Sequence, residues 1–198
     1  GPGYLINGTS VLFLLIVLLM PLWGDQAFST TYDDFSSGAI QTTKWTVSDP
    51  NGFVSVVPGG PQPYVLRLSG SGSGSYPKGG LLTKKNFGGN FLAGINFFNF
   101  SSSDYNPGPD DPSNPSVFLR VVGGPSDHYY IVSRAYNSSG HGIGYREFDS
   151  SNVLVSKGGV SYASTSGALV VSYDGNELSL GYSSSINPEQ WSGAFQTI

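Results

Sequence analysis

Residues 168–182 read ALVVSYDGNELSLGY, and this stretch decides the fold class. Leu169, Val171 and Tyr173 alternate onto one face, and Leu178, Leu180 and Tyr182 repeat the pattern after Asp174-Gly175-Asn176. Side chains alternating with period two line one face of a strand, and an Asp-Gly pair supplies the backbone of a tight connection. The stretch is therefore predicted to be a β-hairpin with one buried face.

Outward from this hairpin, short β-branched and aromatic runs alternate with Gly, Pro, Asn, Asp and Ser clusters, and no window shows the 3.6-residue period of an amphipathic helix. Strands are expected over 53–57, 64–68, 81–84, 91–100, 117–122, 129–136, 143–148, 168–173 and 178–182. In 91–100 both faces are apolar, with Ala93, Ile95 and Phe97 on one side and Leu92, Phe98 and Phe100 on the other, so this strand is expected to be central and covered on both faces. Strands so short and numerous need two packed sheets. The expected architecture is all-β, a two-sheet jelly-roll sandwich over 30–198 preceded by a hydrophobic N-terminal segment over 1–29. SGSGSGS at 69–75 reads as a flexible loop, and SSSDYNPGPDDPSN at 101–114 as a proline-stiffened candidate binding loop.

Charged residues make up only 11% of the chain, while 28 Gly and 13 Pro accompany a heavy load of Ser, Asn and Tyr, the pattern of a turn-rich exterior protein. With net charge −4 and nine scattered basic residues there is no basic patch, which excludes nucleic acid as a partner class. No cysteine is present, so disulfides and thiolate metal sites are excluded.

The N-terminal segment contains VLFLLIVLLMPLW at 11–23, and no Lys or Arg precedes Lys44. The residues expected to carry assembly are Val11, Leu12, Phe13, Leu14, Leu15, Ile16, Val17, Leu18, Leu19 and Trp23, with Pro21 inside the run. As a helix these thirteen residues span about 20 Å, short of the roughly 30 Å hydrocarbon core. As a strand they reach about 43 Å, enough to add an edge to a neighbouring subunit's sheet. The alternative is a signal peptide with Ala27-Phe28-Ser29 as a small-x-small cleavage site before Thr30. An apolar run has no period by which to choose strand or helix.

Tyr32-Asp33-Asp34-Phe35-Ser36, Lys44-Trp45, Gly79-Gly80-Leu81-Leu82-Thr83, Phe87 to Phe91, and Ser166-Gly167-Ala168-Leu169 leading into Asp174-Gly175-Asn176 resemble concanavalin A-like (laminin G-like) jelly-roll domains. The resemblance covers roughly 32–191 and rests on structural motifs, so it implies the fold more than an activity. It implies a concave glycan-binding face, and calcium as the one cofactor some members bear. The superfamily also includes glycoside hydrolases with three alternating carboxylates on one strand. Glu147-Phe148-Asp149 begins such a pattern, but Ser150, Ser151 and Asn152 follow where the third carboxylate would stand. Two acidic residues near a turn fit a solvated strand edge better, so no catalytic residue is expected.

Other constellations are weaker. His128 and His141 have no Asp, Glu or His at metal-ligand spacing, and both read as solvated loop residues, His141 within Ser138-Ser139-Gly140-His141-Gly142. Asp104, Asp110 and Asp111 lack an EF-hand-like spacing and form an acidic loop. No metal site is expected. Trp45 and Trp191 read as core or lid residues. Asn7, Asn99 and Asn137 each open an N-glycosylation acceptor triplet. For stacking on a sugar, with an amide for its hydroxyls, the candidates in or beside loops are Tyr105, Tyr129, Tyr136, Asn137 and Tyr145.

The leading expectation is a non-catalytic, extracellular subunit of a homopolymeric fibre on a cell or virion surface, such as a pilus. It would assemble through the N-terminal segment and display an adhesive, glycan-binding sandwich. Its partners are expected to be further copies of itself and cell-surface glycans, with membrane contact only through the N-terminal segment. The alternatives are a secreted monomeric carbohydrate-binding module and a divergent glycoside hydrolase using Glu147 and Asp149.

Overall fold

The computed structural model describes residues 32–50, 52–59, 63–68, 80–84, 90–101, 116–122, 127–137, 139–186 and 196–197. The chain divides into two units, 1–30 and 31–198, and every described residue belongs to the second. Residues 11–23, Tyr105, the acidic loop residues, Trp191 and the 69–75 loop lie outside the described residues.

The described residues are all-β, with no α-helix. In chain order the strands are β1 (Trp45–Ser48), β2 (Val54–Pro58), β3 (Tyr64–Leu68), β4 (Gly80–Thr83), β5 (Phe91–Phe97) and β6 (Ser116–Val122). They continue with β7 (Tyr129–Asn137), β8 (Gly140–Phe148), β9 (Leu154–Ser161), β10 (Gly167–Tyr173), β11 (Leu178–Ser183) and β12 (Gln196–Thr197). All pairings are antiparallel, in sheets ordered β12-β11-β10-β5 and β6-β7-β8-β9 and in two small pairs, β1-β4 and β2-β3.

The predicted hairpin forms β10 and β11, with Ala168 opposite Ser183 and Tyr173 opposite Leu178. Its connection closes because the Asp174 carboxylate accepts the backbone N–H groups of Asn176 (2.9 Å) and Glu177 (2.8 Å) while Gly175 takes φ +97°. These bonds hold the Asp174 carboxyl below the ordinary carboxylate range.

The two larger sheets pack into a sandwich-like core. Phe97, Leu169, Val171 and Leu180 from one sheet meet Val132 and Ile143 from the other, and Phe91, Ala93, Ile95, Val117, Leu119 and Val121 pack around them. Burying a side chain such as Val132, Ile143, Leu169 or Val171 completely contributes about 1.5–3 kcal/mol.

Three expectations require correction. The strand covered on both faces is β10, where Ala168, Leu169 and Val170 are 0% and Val171 1% exposed. Among the described residues β5 pairs only with β10 and ends its sheet, with Leu92 exposed. It also stops at Phe97: Asn99 adopts φ +54°, and the chain turns so that Phe100 packs on the core and its N–H reaches the Thr165 carbonyl at 3.0 Å. The third correction is β9, which period-two reading passed over because LVSKGGVS carries two glycines. Gly158 lies opposite Tyr145, and a Cβ on it would stand 2.5 Å from Cε1 of that ring. The tyrosine covers bare backbone that no side chain could share. β1 and β12 were likewise not anticipated, each too short to show a period.

Candidate functional site

β7 and β8 form a long hairpin with Asn137 opposite Gly140, Tyr136 opposite His141, Arg134 opposite Ile143 and Tyr130 opposite Glu147. Alternation then puts Tyr130, Val132, Arg134 and Tyr136 of β7 on the same face as His141, Ile143, Tyr145 and Glu147 of β8. Val132 and Ile143 belong to the core, so this is the inner face, with polar groups at both ends.

At the open end lies a cleft of about 230 Å³ between the two sheets. The β6-β7-β8-β9 sheet contributes Tyr130, Tyr145, Glu147 and Ser156, and the start of β11 with the residue just before it contributes Glu177, Leu178, Ser179 and Leu180. Tyr145 Oη is 3.1 Å from Ser156 Oγ, which fixes the ring over β9. His128 Nδ1 is 2.7 Å from Glu147 Oε1. A carboxylate can only accept, so Nδ1 carries the proton and donates. The Tyr130 hydroxyl also bonds to Glu147. Burial pushes the Tyr130 phenol up from its ordinary value of 10.0, and the negative charge and hydrogen bond of Glu147 push it further. The Glu177 backbone N–H is held by Asp174, while no described residue bonds its exposed carboxylate.

At the hairpin end lies Arg134, 0% exposed. Its Nε and Nη2 donate to the Ser164 carbonyl at 3.2 and 3.1 Å, and Nη1 donates to the carbonyls of Ala135 and Gly142 at 2.7 and 3.4 Å. Nη2 also donates to Nδ1 of His141 at 3.0 Å, so the His141 proton sits on Nε2. All five guanidinium donors are engaged, and the guanidinium carbon lies 4.6 Å from the Phe100 ring centroid and 5.7 Å from that of Tyr162. Burial draws the guanidinium pKa down from the ordinary arginine value, opposed by Tyr162. No donor is left for an anionic ligand, so this cluster is architecture.

Both histidine expectations are corrected. His128 is paired with a residue 19 positions away, which spacing along the chain cannot show, and His141 belongs to β8, where its ring meets Arg134 and Tyr136.

The candidate sugar-stacking residues do not converge on one platform. Tyr129 is on the outer face, stacked on Phe148 at 4.8 Å with Arg120 4.1 Å from its centroid. Tyr136 lies at the hairpin end, its ring centroid 4.6 Å from that of His141, and Tyr145 lines the cleft at the other end. Asn137 ends β7. Glu147 and Asp149 also part company. Glu147 faces the cleft, whereas Asp149 Oδ1 accepts the N–H groups of Ser151 (2.8 Å) and Val153 (2.9 Å) to close the turn into β9. Trp45 bonds through Nε1 to Asp33 at 2.6 Å and packs against Tyr32 and Phe35, anchoring the described N-terminal residues to β1.

Residue-by-residue reading missed Tyr130, Ser156, Glu177 and Arg134. The available signal was the Ser138-Ser139 pair in the sequence: centring the β7–β8 hairpin there sets Tyr130 opposite Glu147 and makes the inner face legible. No family model, curated protein or solved structure matches this chain.

Proposed function

We propose that the chain is a non-catalytic, extracellular fibre subunit in which residues 11–23 of one copy add as a strand to β9 of the next. The observation that carries this reading is the edge character of β9. Among the described strands it has a single neighbour, β8, and it leaves Leu154 41%, Val155 53% and Val160 40% exposed, with Val153 just before it at 59%. Leu154 is in register with outer-face Phe148 and Val160 with core-facing Ile143, so the edge is apolar on both faces. That suits a donor whose side chains are apolar on both faces, as residues 11–23 are. The opposite edge, β6, exposes Phe118 and Val122 on the outer face alone, its Val117, Leu119 and Val121 packing on the core. At about 3.3 Å per residue the eight residues of β9 extend about 26 Å, which a thirteen-residue donor spans with length to spare.

Strand addition pairs the open backbone groups and removes apolar surface from water, worth about 25 cal/mol per Å². A head-to-tail contact that does not close propagates as a filament. The jelly-roll, concanavalin A-like arrangement belongs to this proposal. In its support, separate parts of the resemblance touch: Asp33 holds Trp45, and Trp45 of β1 lies opposite Thr83 of β4. The engagement of Asp149 in a turn supports the non-catalytic reading.

Electron microscopy of the full chain and of a chain lacking residues 1–29 tests the proposal. Filaments from the first and folded single particles from the second are expected. Val155→Lys combined with Val160→Lys places charges on the receiving edge and is expected to abolish filaments while leaving the strand signal in circular dichroism. Filaments that persist without residues 1–29 would overturn it.

A further inference from the structure

We propose that the cleft between Glu147 and Glu177 is a binding site for an alkylammonium group, independent of the assembly reading. Two carboxylates reach it, Glu147 from β8 and Glu177 from the connection just before β11. Among the described residues neither Lys nor Arg lines the cleft, and its other polar groups are hydroxyls. The adjacent His128 imidazole engages Glu147 through a single N–H, and a carboxylate accepting from His128 and Tyr130 retains free lone pairs. The Glu177 carboxylate bonds to no described residue.

Such a site offers negative acceptors and no cationic or amide donor, which selects a ligand that donates and carries positive charge. The remaining walls decide which cation. A hard metal ion takes six to eight oxygens, whereas much of this lining is Leu178, Leu180 and the rings of Tyr130 and Tyr145. Aromatic faces attract an ammonium through their quadrupole, and apolar side chains receive the alkyl part. A volume of about 230 Å³ holds a small head group or the end of a lysine side chain.

Calorimetric titration of the full chain tests this, with n-butylammonium chloride, N-acetyl-lysine methylamide, n-butanol and glucose as probes. Butylammonium is expected to bind and butanol to give no heat. Glu147→Gln and Glu177→Gln should each weaken butylammonium at least about threefold, the scale of one partly exposed ion pair. Raising the salt to about 0.5 M should weaken it through screening. Equal binding of the lysine derivative would identify the occupant as a lysine side chain of a partner. Binding of butylammonium alone would identify it as a free amine. Butanol binding as tightly as butylammonium, unchanged affinity in both glutamine variants, glucose binding that butylammonium does not displace, or no heat with either amine would overturn the proposal.

Discussion

The inner face of the β6-β7-β8-β9 sheet is charged at both ends, and the two ends follow opposite rules. Tyr130 and Arg134 stand four residues apart on β7, about 13 Å along the strand. At the Arg134 end a cation is fully enclosed and every donor has a partner: carbonyls of Ala135, Gly142 and Ser164, and the imidazole of His141. At the Glu147 end the carboxylate is part-exposed, is engaged by His128 and Tyr130, and faces a cleft with a second carboxylate at its rim. A buried charge with all its bonds satisfied ties strands together, whereas one with spare capacity beside empty volume can meet a ligand. Both clusters lie in one sheet of a chain with only 11% charged residues, so residual bonding capacity distinguishes them better than charge does.

The largest expected effect breaks the enclosed end. Arg134→Ala removes the clamp joining β7 to the Ser164 carbonyl and leaves acceptors unpaired beside a cavity, at a cost of about 3–5 kcal/mol. Chemical denaturation should show a midpoint shift of that size, and a loss under about 1 kcal/mol would mean the cluster does not bear on stability. Next comes Gly158→Ala, whose new methyl would stand 2.5 Å from the Tyr145 ring. The ring must swing off β9, at about 1–3 kcal/mol, and the cleft loses one wall. Loss of stability with full butylammonium affinity would show that Tyr145 plays no part in the site.

How much of this was legible in the sequence depends on whether the determinant was local. The β10–β11 hairpin was read correctly because alternation, turn residues and the capping Asp174 lie within one short stretch. β10 itself was underrated: ALVV has no period, and its burial follows from its place between β5 and β11 with Leu169 and Val171 in the core and Ala168 and Val170 in a second buried cluster. β9 was missed because Gly158 makes room for a cross-strand ring, a reason written at Tyr145, and Gly159 for the backbone of Ile143 and Gly144. The cleft was half legible. Tyr145 and Glu147 were singled out for separate reasons, but Glu177 reaches the same place only through the packing of two sheets, and His128 through a pairing across the β7–β8 hairpin.

The smaller effects sharpen the other end of the comparison. Glu147→Gln keeps an acceptor for His128 and removes the negative charge, so global stability should move by no more than about 1 kcal/mol. The Tyr130 phenol reads the field directly. Its folded pKa is raised above 10.0, so the neutral phenol's contribution to stability is full below that value and fades as pH rises through the folded pKa. In Glu147→Gln that pKa should fall part of the way back, because burial, the larger cause, remains; ultraviolet titration of the folded protein checks this.

The smallest effect concerns the turn that presents Glu177. The folded pKa of Asp174 is lowered from 3.8, so its contribution is present above that value and lost as pH falls through the folded pKa. Amide exchange of Asn176 and Glu177 should then quicken in acid below about pH 3.8, whereas at the Arg134 end the bonds to the Ala135, Gly142 and Ser164 carbonyls do not titrate and only the His141 acceptor is lost to a proton. Asp174→Asn should remove that acid dependence and leave the exchange of Arg134 unchanged. If the Arg134 end opens in acid and Asp174→Asn prevents that opening, the two clusters are not independent, and charge at one end of the sheet is felt at the other.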